Sequence, residues 1–237
     1  MYKTVSVTSS VQRTQAQRRA HTRRALLDSA REVFGRRGLE GATLDQISQA
    51  AGLTRGALYY NFPGGKGDLF LALLDERIAE RSAAIEDTFG DGQRGPDATV
   101  RQAEEAASDA SAFLTSPENR EWRMLFFEFV LRAARDRRFA DEFVKREQGM
   151  RDALAGVIEA RAADLGGEPP MPAEQLATGI NALANGLALD TLLDEQSVPE
   201  ELFSTLIGFM VRGIVAGAQE ALTGKAEADD HRGGDRG

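Results

Sequence analysis

The chain has 237 residues, 42% of them hydrophobic and 28% charged, with 24 Gly, 7 Pro, no Cys and a formal net charge of −8. That mix excludes wholesale disorder, a collagen repeat and a disulfide framework. The lack of Cys excludes thiolate zinc sites, thiol nucleophiles and iron–sulfur clusters. His21 and His231 stand far apart in different contexts, so neither a metal nor a cofactor is expected.

The longest charge-free stretches, Gln175 to Leu189 and Leu202 to Val211, fall short of the ~18–20 apolar residues of a spanning helix. The first residues contain no apolar run of the kind a secretory signal needs. The expectation is a cytoplasmic protein with no membrane partner.

Net charge hides an asymmetry. Residues 1–66 hold 11 Lys and Arg against 4 Asp and Glu, a balance of +7. Residues 67–237 hold 18 against 33, a balance of −15. A basic quarter joined to an acidic remainder fits a small polyanion-binding module on a larger body. Runs such as Arg18-Arg19 and Arg23-Arg24 are equally compatible with a solvated helix face.

In chain order, residues 1–15 are polar and aperiodic and read as a flexible arm. From Thr14 to Arg37, Leu26, Leu27, Ala30, Val33 and Phe34 recur at helical spacing, and Gly38 is the stop. Thr43 caps a short helix over Leu44 to Ala51 and has capping-box spacing to Gln46. Gly52 breaks that helix. Thr54 caps the next one, which runs to Phe62 and ends at Pro63-Gly64-Gly65. A longer helix is expected from Lys66 to Phe89, then a Gly/Pro loop over 90–97, then helices near 97–115, 118–136, 138–165, 172–195 and 199–222. Period-2 alternation is missing throughout, so the fold class is all-α. The tail 223–237, rich in Gly and charge, reads as disordered.

Residues 43–62, TLDQISQAAGLTRGALYYNF, have the layout of a helix-turn-helix. Gly52 supplies the tight joint. Leu44, Ile47, Ala51, Leu53, Leu58 and Phe62 supply the inner contacts. Thr54, Arg55, Gly56, Tyr59 and Tyr60 form an outer face fit for a groove.

With the basic helix before it and the Lys-led helix after it, this stretch resembles the TetR family of bacterial transcriptional regulators. The matching residues run from about Arg24 to Leu74 and combine A..VF...G, T...I...AG, ALYYNF and K..LF in order. Two positions depart: Ser48 stands where the family often has Ala, and the PGGK link from Phe62 to Lys66 is one residue longer than the commoner form.

The resemblance implies an N-terminal three-helix DNA-binding domain over 16–66 and a helical dimerisation and ligand-binding domain over 67–222. On the matching positions, Arg55 is the candidate base reader, because a guanidinium bonds guanine O6 and N7 together. Thr43, Thr54, Tyr59, Tyr60 and Lys66 are candidates for phosphate or base-edge contact, and Gly56 lets the backbone approach. The implied partners are a palindromic double-stranded operator, a small-molecule effector and a second copy of the chain.

For dimerisation, Gly179, Ala182, Gly186 and Leu189 on one helix, and Gly208, Val211, Gly213, Val215 and Gly217 on another, mix small and apolar positions suited to a four-helix bundle. For the effector, Trp122 to Phe129, including Phe126 and Phe127, is more apolar than one helix face needs. With Phe113, Met150 and Asn181 it lines either a cavity for a hydrophobic compound or ordinary core.

The resulting expectation is a homodimeric repressor, released from its operator by a small hydrophobic ligand. An activator or corepressor-dependent regulator of the same fold is the runner-up. An all-α interaction protein or a hydrolase stands further off, because carboxylates such as Glu104, Glu105, Glu121 and Glu128 have no base, nucleophile or metal constellation beside them.

Overall fold

A computed structural model describes residues 14–90 and 93–233. Among the described residues there are nine α-helices, one 3-10 turn at Pro117–Asn119, and no strand. The helices are α1 (Gln15–Gly41), α2 (Leu44–Ala50), α3 (Arg55–Asn61), α4 (Lys66–Gly90), α5 (Pro96–Thr115), α6 (Arg120–Ala133), α7 (Arg137–Asp164), α8 (Ala173–Leu193) and α9 (Leu202–Gly233). The chain divides into two compact units, one ending at Leu73 and the other beginning at Leu74.

In the first unit α1 opens with a capping box: Thr14 accepts from Gln17 N while Gln17 Oε1 accepts from Thr14 N. Thr14 and Gln15 thus belong to the helix, and the rest of the expected arm lies outside the described residues. Leu26, Leu27, Ala30 and Phe34 recur on one face and are buried, so α1 is anchored by a single apolar stripe. Gly38 breaks the helical path at φ 67°, after which Leu39 turns inward to near-complete burial.

The turn between α2 and α3 is a Schellman motif. Leu53 N donates to Ser48 O at 2.9 Å, and Gly52 N donates to Gln49 O at 3.0 Å. Gly52 sits at φ 64°, in the left-handed region where a Cβ is strained. Ile47, Leu58 and Phe62 are almost fully buried, which seats α3 against the other helices of this unit. The unit extends past Lys66, the expected limit, because Leu69, Phe70 and Leu73 in the first turns of α4 are also buried.

In the second unit α5, α8 and α9 share one core of Ala107, Leu114, Ala184, Ala188, Phe203 and Ile207. Ala155, Ala173 and Ala177 join α7 to α8. Small residues at these crossings bring the helix axes close. Arg123, itself buried, closes the C-terminus of α5 by donating from Nη1 to Phe113 O at 3.2 Å and Ser116 O at 2.8 Å.

Two expectations change. α9 continues to Gly233 instead of ending near 222, so most of the expected tail is helical, and 234–237 lie outside the described residues. Lys225, Ala226, Glu227 and Ala228 are good helix formers, and extending an existing helix avoids the nucleation cost. Further, α8 is long and apolar enough, by length and composition, to cross a membrane. Asp190 interrupts its charge-free run without ending the helix. The same helix packs against α5, α6, α7 and α9, as a core helix does.

Candidate nucleic-acid interface and ligand cavity

α3 presents two unlike sides. Leu58 points into the first unit and is fully buried. Thr54, Arg55, Gly56, Tyr59 and Tyr60 are all exposed, Tyr60 to 70%. Leaving a tyrosine ring so exposed on a seven-residue helix forgoes burial that a core position would give.

Both helices of the motif are capped by threonine. Thr43 Oγ1 accepts from Gln46 N at 3.2 Å, and Thr54 Oγ1 accepts from Ala57 N at 3.1 Å. Each hydroxyl keeps its proton to give to an outside acceptor such as phosphate.

Arg55 Nη1 donates to Asp45 Oδ2 at 3.1 Å, and its Nη2 donates to the Tyr59 hydroxyl at 3.4 Å. The Tyr59 hydrogen bond, then the Asp45 charge, hold the guanidinium pKa above its ordinary value. Arg55 is thus a permanent cation with its fork aimed along the exposed face.

Sequence reasoning treated the basic runs of α1 only as charge. In the structure Arg19 lies 5.5 Å over the Tyr60 ring and Arg23 lies 4.4 Å over the Phe62 ring. Arg23 also donates from Nη1 to Asn61 O at 3.5 Å. Two α1 cations therefore flank the C-terminal end of α3, widening the positive surface beyond the motif.

Lys66 differs from expectation. Its ammonium donates to Leu39 O at 2.7 Å and Glu40 O at 3.3 Å. The last carbonyls of α1 lack intrahelical partners, and a cation is the favoured group to close them. Lys66 is engaged by its own protein rather than presented to a phosphate.

Two cavities of the second unit stand out among the described residues. The six residues expected to line a pocket, Phe113, Trp122, Phe126, Phe127, Met150 and Asn181, all line the smaller one, of about 70 Å³. Only Phe113 also reaches the larger one, of about 330 Å³. The larger cavity lies among α4, α5, α7 and α9 and is walled mainly by Ala, Ile and Val. Its depth has a local cause: Ala103, Ala106, Ala107 and Ala110 place the shortest side chains at i, i+3, i+4 and i+7 along one face of α5.

Sequence reasoning missed this cavity because alanines at helical spacing read as ordinary core. Between the two cavities, Arg81 lines both, and Glu147 with Asn181 lines the smaller. Asn181 Nδ2 donates to Glu147 Oε2 at 3.4 Å. Burial pushes the Glu147 carboxyl pKa above its ordinary value, against the opposing pulls of Asn181, Arg151 and Arg81.

The interface expected on α8 and α9 divides. Gly179, Ala182, Gly186 and Leu189 all lie on the exposed face of α8. On α9, Val211 and Val215 line the larger cavity instead. Gly208 is buried, and an added Cβ would meet Glu104 Oε1 at 2.8 Å. Positions 208, 211 and 215 share a helical face with Ile207, and that face is the one packed into the α5–α8–α9 core. The outer face of α9 carries Thr205, Phe209, Arg212, Gly213 and Ala216.

Two short helices joined by a tight glycine turn, the second exposed along its polar side, define a DNA-binding helix-turn-helix protein. The N-terminal model of the bacterial regulatory proteins of the tetR family matches residues 26–73. The C-terminal model of BetI-type transcriptional repressors matches residues 103–216. The HTH-type transcriptional repressor AcnR of Corynebacterium efficiens is 27% identical over 175 residues, 73% of this chain and 79% of AcnR. The HTH-type transcriptional regulator SrpR of Pseudomonas putida is 48% identical over 56 residues, 24% of this chain and 26% of SrpR. Among solved structures, the fatty acid degradation regulator FadR of Bacillus halodurans shares the fold, with a TM-score of 0.65 at 12% identity over 81% of this chain and 95% of that one.

The chain belongs to the TetR family of bacterial transcriptional regulators. It is a DNA-binding regulator and not an enzyme.

Proposed function

We propose that the protein is a cytoplasmic, homodimeric repressor that binds a palindromic operator and leaves it when a small apolar ligand fills the second unit. The observation that carries this reading is the exposed row Thr54, Arg55, Gly56, Tyr59 and Tyr60 on a helix held from behind by Leu58 and Phe62. Arg55 reads a guanine edge; Thr43, Thr54, Tyr59 and Tyr60 fix the register on the backbone; Gly56 keeps the close approach open.

One short helix gives little affinity, so two reading heads are needed. Two copies place them about one DNA turn, ~34 Å, apart. The exposed row Gly179, Ala182, Gly186 and Leu189 on α8 supports pairing with a second copy. A Cβ added at Gly179 or Gly186 would meet nothing within 4 Å, so the row has space for another helix. Leu193 at 83% and Phe209 at 64% exposure add apolar area that a monomer would leave wet. Pairing makes a four-helix bundle of α8, α9 and their copies.

The larger cavity, about 330 Å³ and mainly apolar, has the size of a small-molecule site. α4 supplies residues both to the first unit and to this cavity wall. A ligand that favours a different head spacing shifts the population off the operator.

The test is a gel shift with the promoter fragment next to the protein's own gene, at several salt concentrations. The reading expects specific retardation with a steep salt slope. Non-specific retardation alone, or none, would refute operator binding.

A further inference from the structure

The walls of the larger cavity carry three guanidiniums, and two are already held. Arg77 Nη1 bonds Glu80 Oε2 at 3.1 Å and its Nη2 bonds Asn119 Oδ1 at 2.9 Å. Arg161 Nη1 bonds Gln93 O at 3.2 Å and Asp164 Oδ2 at 3.3 Å, and its Nη2 bonds Phe89 O. Arg81, which lines both cavities, has no hydrogen bond and no ion pair among the described residues.

Arg81 is exposed, so its guanidinium is open to whatever occupies the cavity. Glu147 attracts it through space and Arg77 repels it. A carboxylate arriving in the cavity meets a cation with no hydrogen bond of its own to break, and a guanidinium gives it two parallel charge-assisted bonds.

A second polar residue, Thr99, lines the same cavity. It is only 6% exposed, and its Oγ1 has no hydrogen-bond partner. A buried hydroxyl without a partner is uncommon unless something absent completes it.

On this wall Glu80 is paired with Arg77 and Arg161 with Asp164, which leaves Arg81 and Asp109 as its unpaired charges. A cation would have to sit beside Asp109 and away from Arg81, whereas an anionic head can take both arms of the guanidinium.

We propose that the larger cavity takes an amphiphilic organic anion, with its apolar body against Ala107, Ile207 and Val211, its acidic head on Arg81, and a hydrogen bond from Thr99 to a polar group along its length. This rests on the reading of that cavity as the effector site and adds the chemical class of the effector.

Isothermal titration of the full-length protein with octanoate, 1-octanol and octylamine tests it. Octanoate should bind roughly 10-fold or more tighter than octanol, as one charge-assisted head-group contact implies. Octylamine should bind weakest. Arg81→Met should erase the preference for octanoate and spare octanol, while Arg81→Lys should keep part of it. Ala106→Phe, with its helical melt confirmed by circular dichroism, should weaken all three by filling the cavity. Equal binding of octanoate and octanol, or a preference that survives Arg81→Met, would overturn the anion assignment and leave the cavity as a ligand site; binding of all three undiminished by Ala106→Phe would put the ligand elsewhere and overturn both. Binding of none of the three would overturn both.

Discussion

Arg55 Nη1 lies 3.1 Å from Asp45 Oδ2, so a carboxylate of α2 holds the side chain best suited to a guanine edge. Both side chains are more than half exposed. The pair is therefore weak and screened, and DNA can compete for it. Reading a base requires Arg55 to leave Asp45, and Asp45 brings a negative charge toward the phosphates. Asp45→Asn should raise operator affinity about two- to fivefold at low salt, an advantage that fades as salt rises. Fluorescence anisotropy with a labelled operator checks it. No change at any ionic strength would mean that the pair does not gate Arg55.

Lys66 is expected to act on stability. Its bonds to Leu39 O and Glu40 O close the end of α1. Lys66→Met should cost about 1 kcal/mol, a few degrees of melting temperature, after allowance for its partial exposure. Salt slope and DNA affinity should change little. A variant with unchanged melting and a shallower salt slope would return Lys66 to the phosphate-binding set.

Burial raises the Glu147 pKa, so the fold prefers this carboxyl protonated. Its contribution is fully present below the unfolded-state pKa and is lost as pH rises through the folded value. At neutral pH the charged form is carried at a cost. Glu147→Gln preserves an oxygen for Asn181 and should raise the melting temperature at pH 7 to 8. The gain should vanish below about pH 4, where wild-type Glu147 is neutral in both states. A variant less stable than wild type at pH 7 would mean that the charge on Glu147 is paired after all.

The open glycines of α8 separate folding from pairing. Gly179→Leu and Gly186→Leu add side chains where the subunit has space, and Leu is the better helix former. The double variant should melt no lower than wild type as a folded subunit, yet sediment as a monomer. Retention of the dimer would place the interface on another face.

Much of this architecture is legible in the sequence because local chemistry sets it. Thr43 with Gln46, Thr54, and Gly52 at positive φ act within a few residues, and the structure realises each as a cap or turn. Lys66 was harder, since its partners Leu39 and Glu40 are remote in sequence and are backbone atoms. On α9, Gly208, Val211 and Val215 are small and apolar on the side that meets α5, so from sequence alone an inward-facing row and a pairing row look alike. Phe209 on the outer side resembles a core residue. The larger cavity was invisible because a void has no residue type of its own. It arises where Ala103, Ala106, Ala107 and Ala110 fall short of the helices opposite.

The most direct test of the reading head compares wild type with Arg55→Ala on operator and on random duplex, in one titration at fixed salt. Loss of a base contact should weaken operator binding by about 1–3 kcal/mol while random-duplex binding changes far less, so the specificity ratio collapses. Equal losses on both duplexes would contradict the account, because Arg55 would then serve only as a charge near the backbone.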